Sequence, residues 1–181
     1  MPLIGDFTYK IGGLIMSTVK SEGLVAGVPW PMIQLPEDVF VHSDERPWVQ
    51  MGEFGGSYVK VLYADKAKNT TVFLYQLAPN SSFPMHEHLC TAIAYTLHGN
   101  WAYGDISLRK GSLAFETAGS SHAPETWETG FTVLTVFIGA PGQEVLLRSQ
   151  DPETLEVGEL GIDFFIDLMT AQGADGIGDK H

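Results

Sequence analysis

The chain has 181 residues, with 10 Lys and Arg against 22 Asp and Glu and hence a formal net charge of −12. That length fits one domain burying roughly 70 % of its unfolded surface, so its core needs no staple of metal or disulfide. The acidity (pI near 4.7) excludes the basic footprint that nucleic acids and anionic membranes require, and a single cysteine, Cys90, excludes an intramolecular disulfide and points to a reducing compartment. No apolar run approaches a membrane span, and the N-terminus lacks the layout of a signal peptide. The expectation is a soluble, cytoplasmic single domain over 1–181.

Residues 1–57 are rich in Gly and Pro and show little sustained periodicity, which predicts an irregular segment wrapping a domain, with at most a short edge strand such as Asp38–His42. From there the pattern changes to short runs rich in β-branched and aromatic residues: Tyr58–Ala64, Thr70–Leu77, Thr91–Leu97, Ser112–Glu116 and Phe131–Gly139. Turn signals separate them, at Pro79-Asn80-Ser81, His98-Gly99-Asn100, Lys110-Gly111 and Ala118-Gly119. Short strands with no long helix between them predict an all-β antiparallel barrel or sandwich, its core over 58–148. Only Gly161–Gln172 reads as a helix, with Ile162, Phe165, Ile166 and Met169 on one stripe and Gly173 as a stop. A packing helix is the plain reading of that stripe.

The chemistry concentrates in the histidines. In an extended backbone residues i and i+2 share a face, so His86 and His88 of the run His86-Glu87-His88 converge while Glu87 points away. That makes half of a metal site, or simply two histidines at a strand entrance. A third, His122, follows the turn Thr117-Ala118-Gly119-Ser120, and an antiparallel barrel can bring it beside the first two. His42, His98 and His181 have no partner in the sequence, and His98 sits in a turn where a solvated side chain is expected. No Gly-rich phosphate loop, Gly-x-Ser-x-Gly elbow or Cys-x-x-Cys occurs, and Cys90 reads as a buried, inert thiol.

These residues resemble the cupin superfamily. His86, His88 and Gly99 match its first motif, and Gly111, Gly119 and His122 its second, over about residues 57–139. The first-motif glutamate would fall near Ala92 or Ile93, neither of which can ligate, and Thr126 replaces an asparagine of the second motif, so a three-histidine site follows from the resemblance. That pattern is similar to the branch of 2,4'-dihydroxyacetophenone dioxygenase and acetylacetone dioxygenase. The run Tyr95-Thr96-Leu97-His98-Gly99-Asn100-Trp101, the opening Gly111–Glu116 and the C-terminal helix add to it. The resemblance implies a cupin (double-stranded β-helix, jelly-roll-like) barrel, with His86, His88 and His122 holding Fe(II), or else Zn, Mn or Ni. Glu116, six residues before His122, would lie near the metal as a catalytic base or as a carboxylate orienting a ligand. It also implies C–C cleavage of a small diketone or hydroxyketone by O2, an aryl one included, and a homodimer or homotetramer. Tyr95, Trp101 and Tyr103, with Trp127, are candidates to line a substrate pocket, although barrel interiors hold such residues in any case. The competing readings are a non-oxidative metal-dependent isomerase or lyase, and a metal-binding sensor domain.

Overall fold

The computed structural model describes residues 10–11, 14–15, 39–51, 55–151 and 154–173. Its contacts divide the chain into two compact units, 1–38 and 39–181. Of the first unit, the described part is a two-stranded antiparallel pair, β1 (Lys10–Ile11) and β2 (Leu14–Ile15). Most of the expected N-terminal wrap lies outside the described residues.

The second unit is mostly strand. A 3₁₀ turn at Ser43–Glu45 leads to β3 (Val49–Gln50), β4 (Ser57–Asp65) and β5 (Thr70–Leu77). The short β6 (His86–His88) precedes the long β7 (Thr91–Tyr103), β8 (Ile106–Arg109) and β9 (Leu113–Glu116). The short β10 (Ser121–His122) leads into the long β11 (Glu125–Ile138), then β12 (Leu147–Gln150), β13 (Val157–Leu160) and helix α1 (Ile162–Ala171). The predicted barrel strands all form, with β7 and β11 longer than their apolar runs. Residues 39–42 are not the expected edge strand; β3 takes the edge of β4 instead, pairing Val49 with Val59.

One antiparallel sheet runs β3-β4-β5-β11-β7-β8 with β9 also on β7, and a smaller one runs β10-β6-β12-β13. Their inner faces meet in a core of Phe73, Phe137, Val59, Val61 and Leu147, extended by a second group around Trp101, Phe131 and Val133. Strand alternation explains which side chains enter: on β11, Phe131, Val133, Thr135 and Phe137 are buried, while the residues between them are more exposed. Helix α1 does more than pack on the outside. Phe165 stacks on Phe73 with ring centroids 5.0 Å apart. Just beyond the helix, the Gln172 side chain accepts from Val61 N–H at 3.0 Å and donates to Val59 O at 3.2 Å. This buried amide completes the edge of β4 where β3 has ended.

One irregularity positions the site. Thr96 pairs with Val133 but His98 pairs with Thr132, so Leu97 is an extra residue in β7. Gly99 beside it has φ +78°, and a Cβ there would lie 1.9 Å from Gly130 O. Gly99→Ala is therefore expected to destabilise the fold by at least about 2 kcal/mol, read as a fall in the urea midpoint at unchanged slope.

Candidate metal centre

His86 and His88 lie on β6 with Glu87 between them, both imidazoles buried and Glu87 turned away. The antiparallel pairing of β10 with β6 sets His122 opposite His86. Backbone bonds from His88 N–H to Ser120 O (2.9 Å) and from Gly119 N–H to His88 O (2.7 Å) tie the intervening turn to the same strand. The three histidines thus bring one ligand atom each to within 4.8 Å of one another.

The hydrogen bonds indicate which atoms face the centre. Nδ1 of His86 is 3.0 Å from Pro84 O and donates to it, which leaves Nε2 as the free lone pair. Nε2 of His88 and Nε2 of His122 are 3.1 Å apart. Burial, reinforced by the neighbouring imidazoles, holds His88 down at about 3 and His122 at about 4, and burial also lowers His86. All three are therefore neutral at pH 7, the state a metal ligand requires. Lone pairs aimed at one another this closely repel unless a proton or a cation lies between them. The donor set fits a divalent transition ion: imidazole nitrogen suits Fe, Zn and Ni, and the nearby carboxylate oxygen extends the range to Mn.

That carboxylate is Glu116. It is buried, with Oε2 3.2 Å from His88 Nε2 and Oε1 3.7 Å from His122 Nε2. In the β7–β9 register Glu116 stands directly across from Ala92, the place where a first-motif glutamate would fall. The small alanine leaves space on that inner face, and the carboxylate arrives from the neighbouring strand instead. Burial raises the Glu116 carboxyl above its ordinary range, and a hydrogen bond from Tyr103 partly offsets this. Tyr103 donates to Oε1 at 2.6 Å, and its ring stacks on His122 with centroids 3.8 Å apart. Tyr103 therefore fixes both an imidazole and the carboxylate, a linkage that nothing in the sequence pattern signals.

Beside the triad lies a half-open cleft with a cavity volume of about 80 Å³. Its walls are mainly aromatic and apolar, with Phe73, Tyr75, Phe83, Phe131, Phe137 and Phe165 joining Trp101, Tyr103, His86, His88 and Glu116. Of the residues expected to line a pocket, Trp101 and Tyr103 do so. Trp101 stacks on Phe131 and donates from Nε1 to Thr96 Oγ1 at 2.9 Å. Tyr95 and Trp127 do not line the cleft and are 43 % and 49 % exposed. Tyr95 precedes the extra residue in β7 and Trp101 follows it, so the two odd-numbered positions face opposite sides. His98 is exposed, and burial pushes the Cys90 thiol up to about 11, which leaves it unreactive. Among the described residues no helix is long and apolar enough to cross a membrane.

The neutral imidazoles have a cost that can be measured. Below pH 6.5 the unfolded chain binds protons that folded His88 and His122 refuse. In the metal-free protein, stability is therefore complete above about 6.5 and falls as the pH drops toward 4, His88 alone contributing up to about 1.4 kcal/mol per pH unit. Urea midpoints after chelation, measured at about pH 7.5, 6 and 5, check this.

A family model described as the ChrR cupin-like domain matches residues 36–140, more than half of the chain. Among solved structures, an RmlC-like cupin from Ralstonia eutropha JMP134 is 21 % identical, over 76 % of this chain and 92 % of its own, with TM-score 0.62. An acetylacetone dioxygenase from Acinetobacter johnsonii is 17 % identical, over 80 % and 98 %, with TM-score 0.60. The polyketide cyclase RemF from Streptomyces resistomycificus is 19 % identical, over 64 % and 87 %, with TM-score 0.52. No match was found among curated proteins. At these identities the likeness is one of fold, and the fold is the cupin barrel.

Proposed function

The chain belongs to the ChrR cupin-like domain family, and on that premise we propose that it is an Fe(II)-dependent dioxygenase cleaving a carbon–carbon bond of a small diketone or hydroxyketone, aryl ketones included. The observation that carries this reading is the set of three neutral imidazoles, two buried and one partly buried, converging beside a carboxylate at the wall of an aromatic cleft. His86, His88 and His122 hold the ion. Bound Fe(II) supplies Lewis acidity toward a chelating enolate and an electron donor for O2. Because the histidines are uncharged, the ion keeps its full positive charge, which favours an anionic bidentate substrate.

The protein's own groups prepare that anion. Glu116 takes the acidic C–H or O–H proton of the substrate onto a carboxylate oxygen, and its raised pKa makes it a stronger base than an exposed carboxylate. Tyr103 keeps the carboxylate aimed at the centre by donating to Oε1. Phe73, Phe83, Phe131 and Phe137 exclude water and accept an apolar or aryl substituent. One C–C bond breaks and both atoms of O2 enter the products, giving two carboxylic acids, or an acid with an aldehyde or ketoacid.

The test is oxygen uptake by anaerobically Fe(II)-loaded protein offered a panel of β-diketones and 2-hydroxyketones. Uptake stoichiometric with substrate loss is expected, and its absence across the panel overturns the reading. A second reading, a metal-binding sensor domain, draws on the ChrR description of the family. One equivalent of tightly held zinc without turnover would favour it, whereas turnover indifferent to anaerobiosis would point to an isomerase or lyase.

A further inference from the structure

The cleft wall holds one polar side chain that the fold leaves without a partner. Alternation along β11 turns Thr135 inward between Val133 and Phe137, and it is only 7 % exposed. Thr135 lines the cleft, and its hydroxyl makes no hydrogen bond among the described residues. The other polar groups there are spent. Tyr103 donates to Glu116, Trp101 to Thr96 and His86 Nδ1 to Pro84 O, while His88 belongs to the triad. A second hydroxyl hydrogen is also free. Ser57 and Tyr75 share a single hydrogen bond of 2.9 Å, so one of their two protons has no use in it. Ser57 is wholly buried, whereas Tyr75 lines the cleft, so the free proton lies on Tyr75. Burial raises the Tyr75 phenol, which therefore keeps that proton. Thr135 pairs with Phe73, and Val133 with Tyr75, so the two hydroxyl-bearing residues stand one inward position apart on neighbouring strands.

We infer that Thr135, seconded by Tyr75, is a specificity-determining residue that binds a third, neutral oxygen of the substrate, carried on the substituent beyond the two oxygens that chelate the ion. The inference rests on the proposed chelating ketone at the triad. A buried hydroxyl without a partner is costly, and a ligand oxygen that accepts from it removes the cost. Both unspent groups are O–H donors, so they call for an acceptor such as a carbonyl, ether or ester oxygen. None of the residues lining the cleft is Lys or Arg, so a carboxylate on the substituent would stay unpaired in this apolar enclosure. The position fits as well. Phe137 meets His88 with ring centroids 5.4 Å apart, and Thr135 is the next inward residue of the same strand, about 7 Å along it. Ala94 stands beside Thr135 on β7, and its small side chain leaves room for the substituent. A site of this kind rejects the analogue with a methylene in place of the oxygen, because the hydroxyl is then left unpaired.

The probes are a nearly isosteric pair, 1-methoxypentane-2,4-dione and heptane-2,4-dione, which differ by an ether oxygen in place of a methylene. Their dissociation constants are measured by calorimetry on the full chain loaded with Fe(II) under argon, where no oxygen chemistry intervenes. The wild type should bind the ether about 10-fold more tightly. Thr135→Val should bring the ratio to within about 2-fold of one, and Thr135→Ser, which keeps a hydroxyl, should retain the preference. Without ligand, Thr135→Val should keep or raise the urea midpoint, since no hydrogen bond within the protein is lost. A clear fall in that midpoint would show that the hydroxyl serves the fold, and it overturns the assignment. Equal affinity of the wild type for the two probes, a ratio unmoved by valine, or binding of neither probe overturns it too. Oxygen uptake is read separately. If the preference and its loss are seen but admitting O2 brings no uptake, the oxygen-cleaving reading falls while the recognition of a third oxygen by Thr135 stands.

Discussion

His122→Ala is expected to lower the affinity for a divalent ion by at least about 100-fold, so that a protein taking up about one equivalent of Fe(II) takes up almost none. Three ligand atoms fall to two, both on β6, and a two-histidine site leaves an ion of this kind mostly to water. His122 is the most informative of the three to remove. His86 and His88 are buried deeper, so their loss would also leave a cavity in the core, whereas His122 sits on a two-residue strand and is only partly buried. The alanine variant should therefore keep the wild-type circular dichroism, and His122→Gln, which restores bulk under Tyr103, should be equally deficient in metal. Metal content by mass spectrometry and calorimetric titration with Fe(II), Zn(II) and Mn(II) give the answer. Wild-type protein that binds none of these ions, or a variant that binds them as tightly, would show that the triad is not a metal centre.

Much of this centre is legible in the chain, and the remainder fails for a specific geometric reason. The spacing of His86 and His88 is local, and the two-residue strand period alone puts both imidazoles on one face. Placing His122 with them needs the β10–β6 register, a contact 34 residues away in sequence that only the motif resemblance supplies. Strict alternation along β7 puts Tyr95, Trp101 and Tyr103 on the same side. The extra residue at Leu97 reverses the face midway, sending Tyr95 to the outer surface and the other two inward. Gly99 and its positive φ are the local mark of that reversal. Glu116 was identifiable by its distance from His122, but its role as the carboxylate opposite Ala92 depends on the β7–β9 pairing. Tyr75 on β5, Phe83 in the connection before β6 and Phe165 on α1 enter the cleft from separate parts of the chain, and nothing local distinguishes them from core residues. Gln172 is the same kind of case: a polar residue after a helix, buried because an unpaired strand edge needs its amide.

The second large effect belongs to Glu116. Glu116→Gln is nearly isosteric and should leave metal content unchanged while lowering kcat/KM for the proposed oxygenation by about 10²–10⁴-fold, the contribution expected of a positioned base. Its partner separates catalysis from structure through pH. A base acts when ionised, so activity rises with pH through the Glu116 pKa, which burial has already raised. The Tyr103 hydroxyl stabilises the carboxylate and pulls that pKa back down. Tyr103→Phe removes this donor while keeping a ring to stack on His122, so the acidic limb of the profile should move to higher pH with the plateau largely preserved. A merely structural role for Tyr103 would lower the plateau and leave the limb where it was. If Glu116→Gln kept both full activity and the acidic limb, proton removal would have to come from elsewhere, and the carboxylate beside His88 would serve only to hold the ligands in place.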